Sequence, residues 1–595
     1  MKNEISLCMI VKNEENNLQR CLDSVKDIVD EIIIVDTGST DKTISIAESF
    51  GAQVYNFLWK NNFSEARNES LKYATKDWIL IMDADDEFCS EDKEVFKQLV
   101  NSDLDENLLC FFETLNYCGS YANSNNISIN LNPRLFKNNY CYKYEGEVHN
   151  QLINYENKTK DVCIPIRIYH YGYLDSNIKG KNKRTRNISL LEEQLKKEPD
   201  NKYAYFNLGN EYFALNDMSK ALDYYYKSYE NFNPNVGYGF ILIIRMMLSN
   251  YFIGSYNKAL EFADLGIQYY PKFTDLYFFK GSIYKSMERP TLAIKAWEKC
   301  IELGEPPSEL KLLYGTGSFK AMYELANIYM EMKDYHTSYR YFNDTIKLKP
   351  DLIISVYKIA HILKEENVHI DEFKKILELF FDDTVKAYSI IADICYSEGY
   401  YETGLEYINK CEESNIISED ILLLKAKCLV RIGAFEQCIK MNFIPNNQSY
   451  YLTSAMYKVI SAILLNEKLL VFYIIDCIKE NSLQGYSKKT LEVCNQLLNM
   501  FYDKATLVLS EDESEKEYTA IIFEILEILL INKKFDEFYT AINLLNLISD
   551  KSVLLQLGKL YYKHGYIEMS KKEIIRSIKD FEIYDKEALN ILKNL

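Results

Sequence analysis

Apolar and polar positions alternate in blocks over the first sixty residues. Ile5 to Val11 reads as a buried strand, broken by the polar stretch Lys12 to Asn16. Leu18, Cys21, Leu22 and Val25 then recur at helical spacing. A second run, Glu31 to Val35, predicts another strand that ends in Asp36-Thr37-Gly38-Ser39-Thr40-Asp41. Gly38 permits a tight turn there, and Ser39, Thr40 or Asp41 can cap a helix running through Ala47. Gly51 to Tyr55 predicts a third short strand. Strand and helix in strict alternation imply right-handed crossovers and a mostly parallel, doubly wound sheet.

Trp78 to Met82 continues this pattern and runs directly into Asp83-Ala84-Asp85-Asp86-Glu87. An apolar strand ending in carboxylates places them at the sheet edge where open α/β folds bind ligands. Asp83 and Asp85 would share one side of an extended strand, where their repulsion calls for a cation or a hydrogen-bond network. Oxygen ligands suit a hard divalent ion, Mg²⁺ or Mn²⁺. The plainer reading is an acidic turn in which Asp86 caps a helix starting near Ser90. The crossovers should bring Glu14, Asp36, Asp83 and Asp85 to one rim. Neither GxGxxG nor GxxxxGK[ST] occurs there, so a dinucleotide or P-loop site is a poor reading.

Beyond about residue 200 the period changes. Tyr205, Leu208, Gly209, Tyr212, Ala221 and Tyr225, closed by Pro234, fit a 34-residue helical repeat. Tyr277, Gly281, Tyr284, Ala293 and Trp297 repeat it, and Leu325, Ala326, Tyr329, Phe342 and Pro350 keep the register despite Met322. Ala259 and Pro271 mark a degenerate copy, and weaker copies fall at 392–408, 426–439 and 557–570. Between about 440 and 550 the phase is lost. Such units must stack into a solenoid, because one unit cannot bury its own face. The connector, Asn177 to Asn187, is basic and reads as a linker or as a lid over a diphosphate; a helix from Ile188 to Lys197 stops before Pro199.

Composition narrows the setting. At 595 residues the chain exceeds a single core. A net charge of −18 argues against a nucleic-acid partner. No apolar run is long enough to span a membrane, and the N-terminal run is too short for an export signal. The 14 scattered cysteines then read as reduced thiols, and the setting as cytoplasmic.

The motifs Val11-Lys12-Asn13-Glu14-Glu15, Ile34 to Thr43, Glu65-Ala66-Arg67-Asn68 and Met82-Asp83-Ala84-Asp85 stand in series. Together they resemble glycosyltransferase family 2, over roughly the first 175 residues. The resemblance implies a GT-A (Rossmann-like) α/β domain at 1–176, a connector at 177–200 and an all-α tetratricopeptide solenoid at 201–595. It implies a UDP-sugar donor, with Asp36 at the uracil or ribose, and Glu14 and the backbone near Val11 lining the same pocket. Arg67 would reach the nucleobase or diphosphate; its plainer role is an ion pair with a nearby carboxylate. Asp83 would bind ribose or metal, Ala84 would line the donor pocket, and Asp85 would bind the metal.

Leu131 to Phe136 reads as a strand near the acceptor side. The segments Tyr144 to Gln151 and Ile168 to Tyr173 resemble those of bacterial family members that modify peptides or proteins. There His149 or His170 would bind the metal or donate to the diphosphate; otherwise each is a core histidine. Those relatives carry Glu after the motif histidine where this chain has Asn150. Glu147, with Glu145 beside it, is therefore the expected general base, unless both simply face solvent or pair with Lys143 or Arg134. A cysteine acceptor would relax the need for a base.

The expected activity is a metal-dependent, inverting transfer of a hexose or N-acetylhexosamine to a peptide or protein side chain, as in flagellin or bacteriocin glycosylation. The repeats would recruit the acceptor or form a homodimer. The alternatives are an enzyme of cell-wall or capsular glycan synthesis, and a catalytically silent scaffold.

Overall fold

The computed structural model describes residues 3–594 except 61, 120–126, 147–149, 157, 175–182, 415–417, 442–449, 480–485 and 503–514. The chain divides into two compact units, Met1–Ile359 and Ala360–Leu595. The first joins the α/β sheet and the first helical repeats in one unit.

The sheet is built in the order the hydrophobic pattern predicts. Strands β1 (Ile5–Val11), β2 (Glu31–Asp36), β3 (Gln53–Asn56) and β4 (Trp78–Ile81) are interleaved with helices α1 (Leu18–Val25), α2 (Thr43–Ser49) and α3 (Phe63–Lys72). They are followed by β5 (Asp86–Phe88), α4 (Lys93–Val100), β6 (Leu108–Tyr117), β7 (Ile127–Lys137), β8 (Tyr142–Glu145), β9 (Gln151–Asn154) and β10 (Lys160–His170). The eight-stranded order is β3-β2-β1-β4-β7-β6-β10-β5, with β8 and β9 as a separate hairpin. β3, β2, β1 and β4 pair in parallel. β7 runs antiparallel to both β4 and β6, and β5 antiparallel to β10, while β10 pairs with β6 in parallel. The sheet is thus mixed, with four parallel and three antiparallel pairings, the antiparallel ones made by β7 and β5. Strand β7 also starts earlier than the expected Leu131.

Period two along the central strands decides what each face packs against. Leu7, Met9 and Val11 of β1 and Leu80 of β4 face the core with Leu18, Leu22 and Phe96 of α1 and α4. Cys8, Ile79 and Ile81 face Leu71 on the other side. Both faces are covered, which is why the strands read as continuous apolar runs. Leu80 is fully buried, so truncating it to alanine would cost about 2–5 kcal/mol. Helix α3 starts at Asn62, whose side chain accepts from the Glu65 backbone N–H at 3.1 Å, and this fixes where Arg67 emerges.

Helix α5 (Lys183–Lys197) begins five residues before the expected Ile188, so part of the basic connector is helical. Antiparallel pairs follow: α6 (Lys202–Ala214) with α7 (Met218–Tyr229), α8 (Gly239–Phe252) with α9 (Tyr256–Tyr269), α10 (Thr274–Ser286) with α11 (Pro290–Leu303), and α12 (Phe319–Glu331) with α13 (Tyr335–Leu348). The small residue of each pattern is where an aromatic lands. A Cβ on Gly209 would lie 2.3 Å from the Tyr225 ring, and one on Gly281 2.4 Å from Trp297.

Residues 304–318, between α11 and α12, do not make a short inter-repeat turn. They return to the sheet as a strap. Ile129 donates its N–H to Leu312 at 2.7 Å, Tyr314 donates to Ile127 at 3.3 Å, and Ser128 and Leu313 form an antiparallel bridge. Ser308 Oγ and Lys311 Nζ both reach Glu113 Oε1 at 2.8 Å. At the far side Leu313 donates to the fully buried Asp275 Oδ1 at 3.0 Å. The strap covers the part of β7 that extends past the end of β4, a sheet edge otherwise open to any extended chain.

The second unit is also built of paired helices. Its core contains Tyr457, Ile522 and Leu526, and Arg431 Nη2 donates to both Glu524 oxygens at 2.9 Å. Helices Tyr486–Tyr502 and Glu515–Ile531 are 17 residues each, longer than the repeat helices, which is why the 34-residue phase fails between 440 and 550. No described helix is long and apolar enough to cross a membrane.

Candidate active site at the carboxyl rim of the sheet

Strand β4 stops at Ile81, and Asp83 to Asp85 lie in a turn rather than on an extended strand. The Asp86 N–H donates to the Asp83 carbonyl at 3.0 Å, and the Asp83 N–H donates to Asp86 Oδ2 at 2.9 Å. This reciprocal closure turns the two acidic side chains to different partners, so the expected shared face is replaced by two separate stations. Ala84, between them, is buried.

Asp83 points to helix α3, where Arg67 Nη2 donates to its Oδ1 at 2.6 Å. Burial pushes the Asp83 carboxyl up, but Arg67, Arg134 and His170 outweigh it and hold the group well below the usual carboxylate range. The Arg67 guanidinium lies 5.4 Å over the Tyr144 ring, and its Nε is buried with no partner among the described residues. Such an orphaned donor is costly unless something else accepts from it.

Asp85 points to His170, with Oδ1 3.5 Å from Nδ1. Burial raises the Asp85 carboxyl, and the charges of Asp86, Asp83 and Glu14 raise it further against the opposing pull of His170. His170 Nδ1 also lies 2.9 Å from Asp86 Oδ1. Because a carboxylate only accepts, this assigns a proton to Nδ1 and turns Nε2 outward. Burial alone would lower the His170 pKa; the Asp85 charge and the Asp86 hydrogen bond overcome it and raise the pKa to about 8.

Asp86 is the hidden organiser. It is fully buried, does not cap the following helix, and takes Arg134 Nη1 at 2.9 Å besides His170 and the Asp83 N–H. Arg134 also donates to the Ile81 carbonyl at 3.2 Å and to Thr114 Oγ1 at 3.3 Å, so β7 and β6 both brace the turn. Neither Asp86 nor Arg134 is singled out by the sequence for this work, although Asp86 sits inside the acidic run.

The donor atoms of Asp85, Asp86 and His170 fall within 4.8 Å of one another. The neighbouring Gly172 keeps the front of this group open: a Cβ there would lie 2.4 Å from Asp85 Oδ2 and 2.6 Å from His170 Nε2. Two carboxylates and an imidazole around such a space form a donor set that fits a divalent cation. Gly172, too, carries no sequence signal beyond its place in the Tyr-His-x-Gly-Tyr stretch.

The loops beside β1 and β2 form the other half of the rim. Asp36 is buried at the end of β2, and its Oδ2 accepts from the N–H groups of Gly38 and Ser39 at 2.9 Å. Gly38 has φ +103°, a conformation that favours glycine. Thr37 donates both N–H and Oγ1 to the Val11 carbonyl at 3.0 Å. The Glu14 N–H donates to Thr43 Oγ1 at 2.7 Å, and Asn17 donates to Glu14 Oε2 at 2.9 Å. β2 and β4 flank β1, so Asp36 and Asp83 leave the sheet roughly 10 Å apart on the same edge.

Glu145 stands elsewhere. Tyr144 is buried under Arg67, and strand alternation turns Glu145 outward, exposed and hydrogen-bonded by the Tyr155 hydroxyl. Arg134 is spent on Asp86 and is no partner for it. Glu147 and His149 lie outside the described residues.

The sequence is similar to that of known proteins. The model of the family described as glycosyl transferase family 2 matches residues 6–149, and that of a tetratricopeptide repeat matches 203–231, 274–303 and 319–352. The SPbeta prophage-derived glycosyltransferase SunS of Bacillus subtilis is 31% identical over 288 residues, 47% of this chain and 66% of SunS. A TPR repeat-containing protein of Synechococcus elongatus is 30% identical over 267 residues, 43% of this chain and 64% of that protein. The aligned part of the chain therefore spans just under two thirds of these relatives. Among solved structures, glucosyl-3-phosphoglycerate synthase of Mycobacterium tuberculosis, in complex with Mn²⁺, UDP and glucosyl-3-phosphoglycerate, is 23% identical over 19% of this chain and 44% of that chain, with a TM-score of 0.16. The chain thus carries a glycosyltransferase family 2 domain at residues 6–149, followed by tetratricopeptide repeats.

Proposed function

We propose that the protein transfers a hexose or N-acetylhexosamine from a UDP-sugar to a side chain of a peptide or protein, with inversion at the anomeric carbon. The observation that carries this reading is the open Asp85–His170 group behind Gly172, set beside the Arg67–Asp83 pair on one rim. The likeness to SunS, a glycosyltransferase, supports the transfer chemistry.

In this reading Asp36, Glu14 and the Val11 backbone hold the uridine, and Ala84 lines the donor pocket. Asp83 fixes Arg67, whose Nε–H, unpaired among the described residues, donates to an oxygen of the UDP-sugar. Asp85 and His170 would hold the divalent cation, with Asp86 orienting His170, Asp83 close by and His149 a further candidate from the sequence. A nitrogen ligand beside a carboxylate favours Mn²⁺ over Mg²⁺. Such an ion, when bound, neutralises charge on the departing diphosphate. The acceptor hydroxyl or thiol attacks the anomeric carbon from the face opposite UDP, its proton passes to a base, and UDP leaves with the electron pair of the broken C–O bond. Glu147 is the proposed base and Glu145 the second choice, since the Glu145 carboxylate is held by Tyr155 on an exposed hairpin. The transferase domain is placed at 1–176, the connector at 177–200 and the array at 201–595, the array recruiting the acceptor or pairing two copies, in a reducing cytoplasmic setting.

Intact-mass analysis of candidate acceptor polypeptides incubated with a panel of UDP-sugars and Mn²⁺ tests this. The expected result is a hexose or N-acetylhexosamine mass increment that disappears with Asp85→Asn. UDP-sugar turnover by Asp85→Asn equal to that of the parent chain would overturn the site.

A further inference from the structure

The strap places the first repeats against the far side of the same rim. Ser128, bridged to Leu313 of the strap, has its hydroxyl 4.0 Å from Cys118 Sγ at the exit of β6. The next residue, Gly119, pairs in a parallel bridge with Leu174. Leu174 follows Tyr173, whose ring lies 5.2 Å from that of His170. An unbroken path thus runs from the proposed cation ligands through Tyr173 to the helical repeats. It leaves β4 on the side of β7 and β6, opposite the β1 and β2 loops assigned to uridine.

Two cations stand along this path without a counter-ion in contact. Arg245 of α8 lies with its guanidinium 4.5 Å over the Phe213 ring, and its Nε is buried with no hydrogen-bond partner. It makes no ion pair among the described residues. Lys320, in the first turn of α12 next to the strap, is half-buried and equally without an ion pair among them. Both act on Cys118 electrostatically, while Asp275 and Glu305 offset part of the Lys320 charge from beyond contact distance. Nearby Arg184 differs, since it is neutralised by Glu211 at 2.8 Å. A half-buried guanidinium whose Nε is unpaired among the described residues is expensive to keep, above all in a chain of net charge −18 whose acids could have paired with it.

We infer that Arg245, helped by Lys320, is the acceptor-side anchor and receives an aspartate or glutamate side chain of the polypeptide acceptor. The fork of a guanidinium suits a carboxylate, and Phe213 beneath it holds the plane fixed. Acidic residues near the modified position would then select the substrate. This rests on the acceptor being a polypeptide, as proposed above.

The test uses the full-length chain and Ser-, Thr- or Cys-centred peptides of about 13 residues, each flanking position carrying Asp, Glu, Asn, Gln or Lys in turn. Affinity is read by fluorescence anisotropy. At one or two flanking positions the parent chain should bind the acidic peptide about tenfold more tightly than its amide counterpart, the size expected for a charge-assisted hydrogen bond. Arg245→Gln keeps the stem on Phe213 and should reduce that preference to below about twofold, leaving amide peptides unaffected. Arg245→Lys should retain part of it. Equal binding of acidic and amide peptides by the parent, or an undiminished preference in Arg245→Gln, overturns the inference. A raised KM for UDP-sugar hydrolysis in Arg245→Gln with an unchanged melting midpoint also overturns it, by making the residue a donor contact. Should Arg245→Gln fail to fold, the parent peptide series and Arg245→Lys decide. Absence of UDP-sugar hydrolysis in the parent would instead defeat the transferase reading and leave the peptide preference standing.

Discussion

Replacing Asp275 by asparagine should stabilise the protein at alkaline pH and hardly affect it at acid pH. Asp275 sits in the first turn of α10, fully buried, with Oδ1 taken by the Leu313 N–H and Oδ2 without a partner. Burial pushes its carboxyl pKa up to about 8, against the smaller lowering effect of the Leu313 bond. In the unfolded chain the same group ionises near 3.8. Between these two values the unfolded state has lost a proton that the folded state keeps, so stability falls as pH rises from about 4 to about 8 and is flat above. At 1.36 kcal/mol per pKa unit the loss has a ceiling of about 6 kcal/mol, and relaxation around the charge should leave roughly 3–5 kcal/mol of it. Asparagine keeps an acceptor for Leu313 and carries no charge.

For a unit of 359 residues the unfolding entropy is on the order of 0.75 kcal/mol/K, so each kcal/mol moves the midpoint by a little over 1 °C. Differential scanning calorimetry of parent and Asp275→Asn at pH 5.5 and 8.5 is the assay. Because part of the loss is already complete at pH 5.5, the variant's advantage should grow by about 2–4 °C between the two conditions. An advantage that does not change with pH, or a variant less stable than the parent at pH 8.5, would refute the reasoning.

Three further outcomes follow from the site and the strap. Gly172→Ala should reduce Mn²⁺-dependent UDP-sugar hydrolysis by about a hundredfold or more, because its methyl would occupy the space before Asp85 and His170; Mn²⁺ titration calorimetry should show weakened binding with the melting midpoint nearly unchanged, and normal Mn²⁺ binding would count against the site. Arg134→Met leaves the fully buried Asp86 without its cation and should cost about 3–5 kcal/mol, read as a lowered denaturant midpoint; Asp86→Asn in the same chain should recover part of it. Glu113→Ala removes the acceptor shared by Ser308 and Lys311 and should speed proteolytic cleavage within 304–318 severalfold, whereas equal cleavage rates would show that the strap is held by other contacts.

Much of the parallel half of the sheet was legible because both of its faces are buried. Apolar runs at Ile5–Val11 and Glu31–Asp36 carry the signal whatever lies next to them. The antiparallel half was not, since β7 joins β4 to β6 through pairings between residues up to 59 positions apart, which no local pattern records. The acidic run marked where β4 ends but not the geometry there. The reading that put Asp83 and Asp85 on one face assumed the strand continued, and the Asp83–Asp86 closure ends it. Arg134 could not be foreseen for a similar reason, as its role is defined by a carboxylate 48 residues away. Glu145, next to a motif in sequence, faces outward on its hairpin with its carboxylate held by Tyr155, an orientation set by strand alternation that motif proximity does not reveal.

The strap also bears on how such an enzyme can be re-engineered or can diverge. A catalytic sheet whose open edge is completed by a piece of the third matched repeat's approach cannot exchange its helical array as a cassette cut at the connector. Any chimera that swaps the array must bring a segment able to reach β7 and Glu113, or leave an edge exposed to pairing with other chains. On the function proposed above, acceptor choice would be tied to inheritance of residues 304–318 and should track changes there and in the helices they hold, before it tracks changes around Asp36 and Asp83.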